Sequence, residues 1–502
     1  MIIQYVKIKI EQLFKKHKHI IILALILAVA VFFRFRHWPD YLPFDFEKSR
    51  DLIVSRNIYL NRKLTLIGPT TEVEGIFHGP LYYYLLGLGY YIFNGDPKAG
   101  SIVSFGFNFA ALIALYFIGS KLFSKKVGLL ASFLYAVSLE AVSYAYWLSN
   151  PGPSIVFLFL MFYFFYRFLS GEEKYLALSL FCFGLSLQFQ VLNVLFLVPL
   201  ALSYLLLGRP RINPKNLLLA PFSVLLPVST FIFFDLKHQF LMTNAFLDRY
   251  LQNSQGPGLK INLLDYFTRL AREFSHVLFP VVPKLAGWFL MAAILFFLVW
   301  KIFVEKKDKL WKYLLIWIFA TFPVFLINSR IGESSAAFMG VSGAIVLAAA
   351  AFMDQIFKKN TLLIAAILLL IGLVNLKGVD CYLTSGSFRL FDAYEDLYLK
   401  KDLSIIRWIY EKSEGQSFQL DTVTSPLYVS TLWDYLFSWY GQKEGLPAPS
   451  RENPKTKFLI LEPFVDTHFK TEAIKKVGND FKLSEEKDFG GVVIQKWELS
   501  SP

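Results

Sequence analysis

Two cysteines, Cys182 and Cys381, are all that 502 residues carry. A single pair cannot build a disulfide framework, and neither a CxxC nor a Cys/His spacing offers a zinc site. Charge is scarce too: Asp, Glu, Lys and Arg make up 18% of the chain, against 55% hydrophobic residues. No tandem repeat and no low-complexity tract interrupts it, which excludes solenoid and linker-rich architectures. What is present is apolar and aromatic, with 52 Phe, 26 Tyr and 10 Trp. No soluble fold hides that much apolar surface from water. The chain reads as a polytopic α-helical membrane protein.

Apolar runs at 20–33, 100–120, 127–146, 153–169, 174–190, 191–207, 216–234, 282–301, 310–327, 333–357 and 361–377 predict about eleven transmembrane helices. The stretch 174–207 is too long for one span of ~20 residues and is divided in two. No small-residue cleavage site follows the first run, so it is expected to stay as an uncleaved span with residues 1–19 as a basic cytoplasmic N-terminus. The segments that then face the cytoplasm hold 20 Lys and Arg against six acids, and all other segments together hold 31 against 32. The net charge of +13 is therefore the positive-inside signal and no sign of nucleic acid. This orientation leaves three regions outside: the loop 37–79, the loop 235–281 and a tail, 378–502. The tail is more polar, with strands expected at Phe458–Leu461 and Val492–Ile494 and a helix at Leu403–Tyr410. It is long enough for one small extracytoplasmic α/β domain, leaving 20–377 as the transmembrane domain.

The first outer loop concentrates the chemistry. Asp45, Glu47, Asp51, Glu72 and Glu74 share it with Arg50 and His78, while Gly68, Pro69, Gly75, Gly79 and Pro80 fix its turns. A helix over 46–60 and an amphipathic aromatic segment over 81–93 are expected to lie in the interface and hold these acids at the bilayer edge. Tyr82–Tyr84, Tyr90, Tyr91, Tyr144, Tyr146 and Trp147 read as an interfacial aromatic belt.

A first span, an acidic outer loop and a Pro-Leu-Tyr-Tyr segment before the second span resemble integral-membrane glycosyltransferases of the GT-C superfold. The resemblance is greatest to the protein mannosyltransferase and aminoarabinose transferase group, glycosyltransferase family 39-like. That group shows Asp-Glu-x-Arg in the first loop and Lys-Pro-Pro-Leu-x-Tyr at its end. Here the first motif stands as Asp45-Phe46-Glu47-Lys48-Ser49-Arg50. Matching Arg50 places Glu47 on the family's Asp and Lys48 on its Glu. The second stands as His78-Gly79-Pro80-Leu81-Tyr82, with His for Lys and Gly for the first Pro.

The resemblance implies transfer of a sugar from a polyprenyl-phosphate donor, inverting, with Asp45 or Glu47 as general base. General-base assistance is worth about 10²–10⁴-fold, so positioning and cations at the leaving phosphate must supply the rest. Arg50 and His78 are the local candidates for that phosphate, joined by Lys237, His238, Arg249, Arg272 and Arg330 on outer segments. Asp51, Glu72, Glu74, Tyr82, Glu140, Asn150, Gln188, Gln190 and Asp235 are candidate substrate contacts near the outer face. Some GT-C enzymes hold a divalent cation between paired acids and the nearest group generally needs none, so the loop carboxylates leave a cation open. Oligomeric state, sugar and acceptor are not specified by any motif. A transporter or flippase of lipid-linked sugars is the competing reading, disfavoured by spans poor in charge and lacking a symmetric pair of broken helices.

Overall fold

The computed structural model describes residues 2–71, 73–248, 263–280, 285–327, 338–358, 360–385, 398–450 and 455–500. Each of the eleven apolar runs contains a helix among its described residues. Among the described residues, five helices are long and apolar enough to cross a bilayer: His17–Phe35, Ala99–Leu122, Pro214–Lys237, Leu285–Val304 and Thr361–Thr384. Lys125–Val137 and Leu139–Tyr146 reach that standard only as a pair bent by 56°. Ser154–Leu169, Lys174–Phe189, Val191–Leu207 and Val341–Ile356 are shorter apolar helices, and 310–327 is interrupted between Lys309–Ile318 and Phe322–Ile327. The protein is a multi-pass membrane protein.

Two compact units divide the chain. The first comprises Met1–Arg36, Thr65–Tyr82 and Ser104–Phe391; the second comprises His37–Leu64, Tyr83–Val103 and Asp392–Pro502. The expected domain boundary at 378 shifts, because the last long helix runs on to Ser385 and the tail groups with the first-loop helix.

In the first unit, the run 127–146 is not the continuous span its hydropathy suggests. It breaks at Ser138, and the break is fully stitched. Arg34 is completely buried; its Nη1 donates to the Ala136 carbonyl at 2.7 Å, its Nη2 to the Tyr135 carbonyl at 3.5 Å, and its Nε to Asn108 Oδ1 at 2.7 Å. Asn108 Nδ2 in turn donates to the Ala141 carbonyl at 2.8 Å. Beyond the break, Leu139 N donates to Asn375 Oδ1 at 3.0 Å and Ala141 N to Ser138 Oγ at 3.3 Å. Backbone groups freed inside an apolar bundle must find such partners, since neither lipid nor side-chain hydrocarbon supplies them.

The expected outer loop 235–281 contains a helix, Leu263–Leu278, that buries Tyr266, Leu270, Ala271, Phe274, Val277 and Leu278. Its charges lower the mean hydropathy while its apolar residues keep the i, i+3, i+4 spacing of a one-sided helix. The Asn375 amide also donates to the Leu278 carbonyl at 3.0 Å, tying this helix to the break.

In the second unit, strands β1 (Gln419–Val423), β2 (Thr456–Leu461), β3 (Phe481–Asp488) and β4 (Val493–Leu499) form a sheet in the order β1-β2-β4-β3. β1 runs parallel to β2, whereas β4 is antiparallel to both β2 and β3. Val423, Leu459, Leu461, Val465, Val477 and Trp497 form a core cluster on it. The two expected strands and the expected helix, here Leu399–Lys412, are present. The helix Phe46–Leu60 packs in the same unit against Thr431–Glu444 and against Leu81–Ile92, where a Cβ at Gly87 would stand 2.2 Å from the Ser55 carbonyl. Only glycine permits that crossing.

Removing the Arg34 guanidinium tests the break. Arg34→Met should leave two carbonyls bare and lower stability by roughly 2–4 kcal/mol. Thermal unfolding in detergent, followed by tryptophan fluorescence, reads the loss.

Candidate functional site

The sequence-predicted residues fall in both units, and the second holds the acidic motif. Asp45 is the N-cap of helix Phe46–Leu60: its Oδ1 accepts from Glu47 N at 2.9 Å and Lys48 N at 3.2 Å. An aspartate there satisfies amides that the first turn cannot pair internally. Its other oxygen accepts from Lys48 Nζ at 3.0 Å, and the residue is 2% exposed. Glu47 lies in the first turn with 48% of its side chain exposed; Lys48 Nζ donates to its Oε2 at 3.5 Å. The Lys48 amine is itself buried. Burial alone would drive its proton off, but Asp45 and Glu47 beside it raise its pKa above the ordinary lysine value.

One turn on, Arg50 Nε and Nη2 donate to Asp51 Oδ1 at 3.0 and 2.9 Å, and Tyr83 Oη donates to the same oxygen at 3.1 Å. Arg50 keeps 35% of its side chain exposed and Asp51 only 7%. Burial pushes the Asp51 carboxyl up to about 6, against the opposing pull of Arg50 and Tyr83. Tyr83, one position beyond the singled-out Tyr82, is thus a partner that the motif reading missed. The family pattern, counted from His78, would have found it. Tyr82 is buried.

Asp402 and Glu462 also escaped the sequence reading, since each is a lone acid outside any motif. Glu462 accepts from Trp433 Nε1 at 2.9 Å and Ser425 N at 2.7 Å. Asp402 is fully buried, and neither of its oxygens has a hydrogen-bond partner among the described residues. Burial, then the negative charges of Glu462 and Asp45, push its carboxyl well above the usual range.

The first unit assigns structural work to several predicted ligands. His78 is buried, and its Nδ1 accepts from Val191 N at 3.4 Å. Burial lowers its pKa to about 4, so at neutral pH it is no cation for a phosphate. Gln188 has no free amide atom to offer a sugar. Its Nε2 donates to the Pro227 carbonyl at 2.6 Å and Thr230 Oγ1 at 3.0 Å, and its Oε1 accepts from Leu81 N at 3.4 Å. A Cβ at Gly79 would fall 2.4 Å from that Oε1, which explains why the second motif carries Gly at this position. Asn150 Nδ2 donates to the Phe189 carbonyl at 2.5 Å, and Gln190 is buried at the end of Lys174–Phe189.

Asp235 does not follow its helix; it lies in the last turn of Pro214–Lys237 and caps the next one, accepting from Met242 N at 2.7 Å and Thr243 Oγ1 at 2.5 Å. Lys237 and Glu74 are exposed, and exposed His238 stacks on Phe234 with ring centroids 4.1 Å apart. Glu140 is buried just past the Ser138 break and meets the charge of buried Glu273; one oxygen of each has no partner among the described residues. Glu72, Arg249 and Arg330 lie outside the described residues.

Residues 77–234 match the sequence profile of a family described as dolichyl-phosphate-mannose-protein mannosyltransferase. In three dimensions the chain is similar to ArnT from Cupriavidus metallidurans bound to undecaprenyl phosphate, at a TM-score of 0.59 and 11% identity, covering 95% of this chain and 97% of that one. The chain shares the fold of ArnT. ArnT in the apo state is similar over the same shares of both chains, at 0.56 and 12% identity. The apo oligosaccharyltransferase of Archaeoglobus fulgidus gives 0.49 at 14% identity over 84% of this chain; the chain spans only 64% of that protein's length. No curated protein sequence matches the chain.

The acid pair on the first-loop helix does not fit a divalent cation. Lys48 Nζ already bonds both Asp45 and Glu47, and among the described residues no three His, Cys, Asp or Glu side chains are grouped as metal ligands.

The Asp51 carboxyl generates a pH prediction. Its pKa is about 6 folded against an ordinary 3.8, so the folded state binds the proton more tightly. The stability this contributes is complete below pH 4 and lost as pH rises through 6, a change on the order of 2–3 kcal/mol. Thermal melts between pH 4 and 7 should show this decline in the wild type and its absence in Asp51→Asn.

Proposed function

We propose that the chain is a membrane glycosyltransferase that moves a sugar from a polyprenyl-phosphate donor to an acceptor hydroxyl or amine on the extracytoplasmic face. The observation that carries this reading is Glu47: a half-exposed carboxylate at a helix N-terminus, three residues before Arg50, as the family motif spaces its acid and arginine. The similarity of fold to ArnT, a protein solved with undecaprenyl phosphate, supports the donor class. Of the two acids in question, Glu47 is the better base, because both Asp45 oxygens are engaged by the helix amides and Lys48.

In the reaction, Glu47 takes the proton from the acceptor O–H or N–H. The acceptor's lone pair forms the new bond to the anomeric carbon as the bond to the phosphate oxygen breaks from the opposite side. Polyprenyl phosphate leaves with that electron pair, and the configuration inverts. Arg50, with a third of its side chain open, is the first choice to stabilise the phosphate; a guanidinium does so through paired N–H donors. Lys237, His238 and Arg330 are further candidates for phosphate, and Glu72, Glu74, Tyr82, Glu140 and Gln190 for substrate. Gln188, Asn150 and Asp235 are assigned to the scaffold instead. Eleven spans, a cytoplasmic N-terminus and an extracytoplasmic tail complete the reading, supported by the helix in each apolar run and by the basic inner segments.

Glu47→Gln should lower sugar transfer by about 10²–10⁴-fold with expression retained. Asp45→Asn, which still caps the helix, should lose far less activity and show a reduced melting temperature. Wild-type transfer by Glu47→Gln would sink the assignment. Movement of the lipid-linked sugar without any transfer would favour a flippase.

A further inference from the structure

We infer that Lys48 is a resident cation of the Asp45/Glu47 pair, filling the cradle that a divalent metal would otherwise take and fixing where the Glu47 carboxylate stands. Asp45-Phe46-Glu47 is an acid, one spacer and an acid, set on the cap and first turn of one helix. Two carboxylates held that close repel each other and need a positive charge between them. Lys48 supplies it from the next residue, with Nζ 3.0 Å from Asp45 Oδ2 and 3.5 Å from Glu47 Oε2.

The amine is not a surface lysine with its head in water, for its side chain is 3% exposed. Its other carboxylate influence is Asp51, one turn along, which acts on it through charge. Glu47 is thereby tethered at one oxygen while half its side chain stays open. Lys48 is a positioning residue in this account, which rests on the reading of Glu47 as the base. The family motif carries an acid where Lys48 stands, so this chain exchanges a carboxylate for an ammonium at the position that decides whether the pair is free to bind a metal.

Taking the ammonium away should turn the pair into a hard, oxygen-ligand site for a divalent cation. The test is a Mn²⁺ titration of the purified full chain in detergent, read by loss of the free-ion electron paramagnetic resonance signal. It uses the wild type, Glu47→Gln, Lys48→Ala and the double variant Glu47→Gln/Lys48→Ala. Lys48→Ala should bind Mn²⁺ at least about tenfold more tightly than the wild type, and the double variant should lose that gain.

In the transfer assay, Lys48→Ala should fall by at least about tenfold and recover in part with millimolar Mn²⁺ or methylammonium. Lys48→Arg, which keeps the charge, should retain more activity than Lys48→Ala. Should Lys48→Ala not yield folded protein, Lys48→Gln is titrated in its place, keeping the stem and dropping the charge. The inference fails if the uncharged variant binds Mn²⁺ no better than the wild type, or transfers at the wild-type rate without added cation. It fails equally if the wild type binds a Mn²⁺ that Glu47→Gln removes. Because Mn²⁺ binding is read without any sugar transfer, a chain inactive in every form would sink the base assignment and leave this question answered.

Discussion

A guanidinium inside an apolar helix bundle must find acceptors there, and Arg34 finds them in a helix that has been broken to provide them. The carbonyls of Tyr135 and Ala136, left open where Lys125–Val137 ends, take its N–H groups, and Asn108 takes another. The arrangement is mutual: without the break Arg34 would lose two carbonyl acceptors, and without Arg34 the break would expose backbone to hydrocarbon. Asn375 closes the other side by serving Leu139 and the end of Leu263–Leu278 together. The first unit is therefore organised around satisfied polar groups as much as around its apolar packing. Glu140 and Glu273 are buried near these joints, each with an oxygen that has no partner among the described residues.

The same accounting governs the chemistry of the second unit. Three neighbouring acids in the motif meet three different fates, decided by their partners. Asp45 is consumed by the helix cap, Asp51 is shared between Arg50 and Tyr83, and Glu47 alone keeps an open face. Lys48 holds the first and third of these roles apart, one oxygen to each. Asp402 has no hydrogen-bond partner among the described residues, and burial shifts its carboxyl toward the neutral form, which is the other way to keep a carboxyl out of water. Such divergence among acids in one small region is what separates a base from its supports.

Elements that satisfy their own periodicity were legible before any coordinates. The apolar runs, the helix at 46–60 and the strands at 458–461 and 492–494 all follow from local pattern. The helix Leu263–Leu278 was hidden because its charges dilute the hydropathy, although its apolar spacing was there to be counted. The break at Ser138 could not be read, since 127–146 is uniformly apolar and Arg34 lies a hundred residues away in sequence. His78 and Gln188 illustrate the opposite error. Their residue types suggest ligands, but burial neutralises one and backbone partners occupy the other.

The sequence by itself determined that this is a multi-pass membrane protein, where its apolar runs lie and which loop carries its acids. Those properties depend on composition and short-range spacing, which bilayer thickness and helix geometry read directly. The tertiary structure alone decided which of the acids has an open face, which cation lies beside it and which polar residues belong to the scaffold. Those outcomes depend on burial and on groups brought together from distant segments, such as the Tyr83 hydroxyl bonded to Asp51 and the Glu462 charge acting on Asp402. A carboxylate's chemistry is set by what surrounds it, and its neighbours in the chain are only some of its neighbours in space.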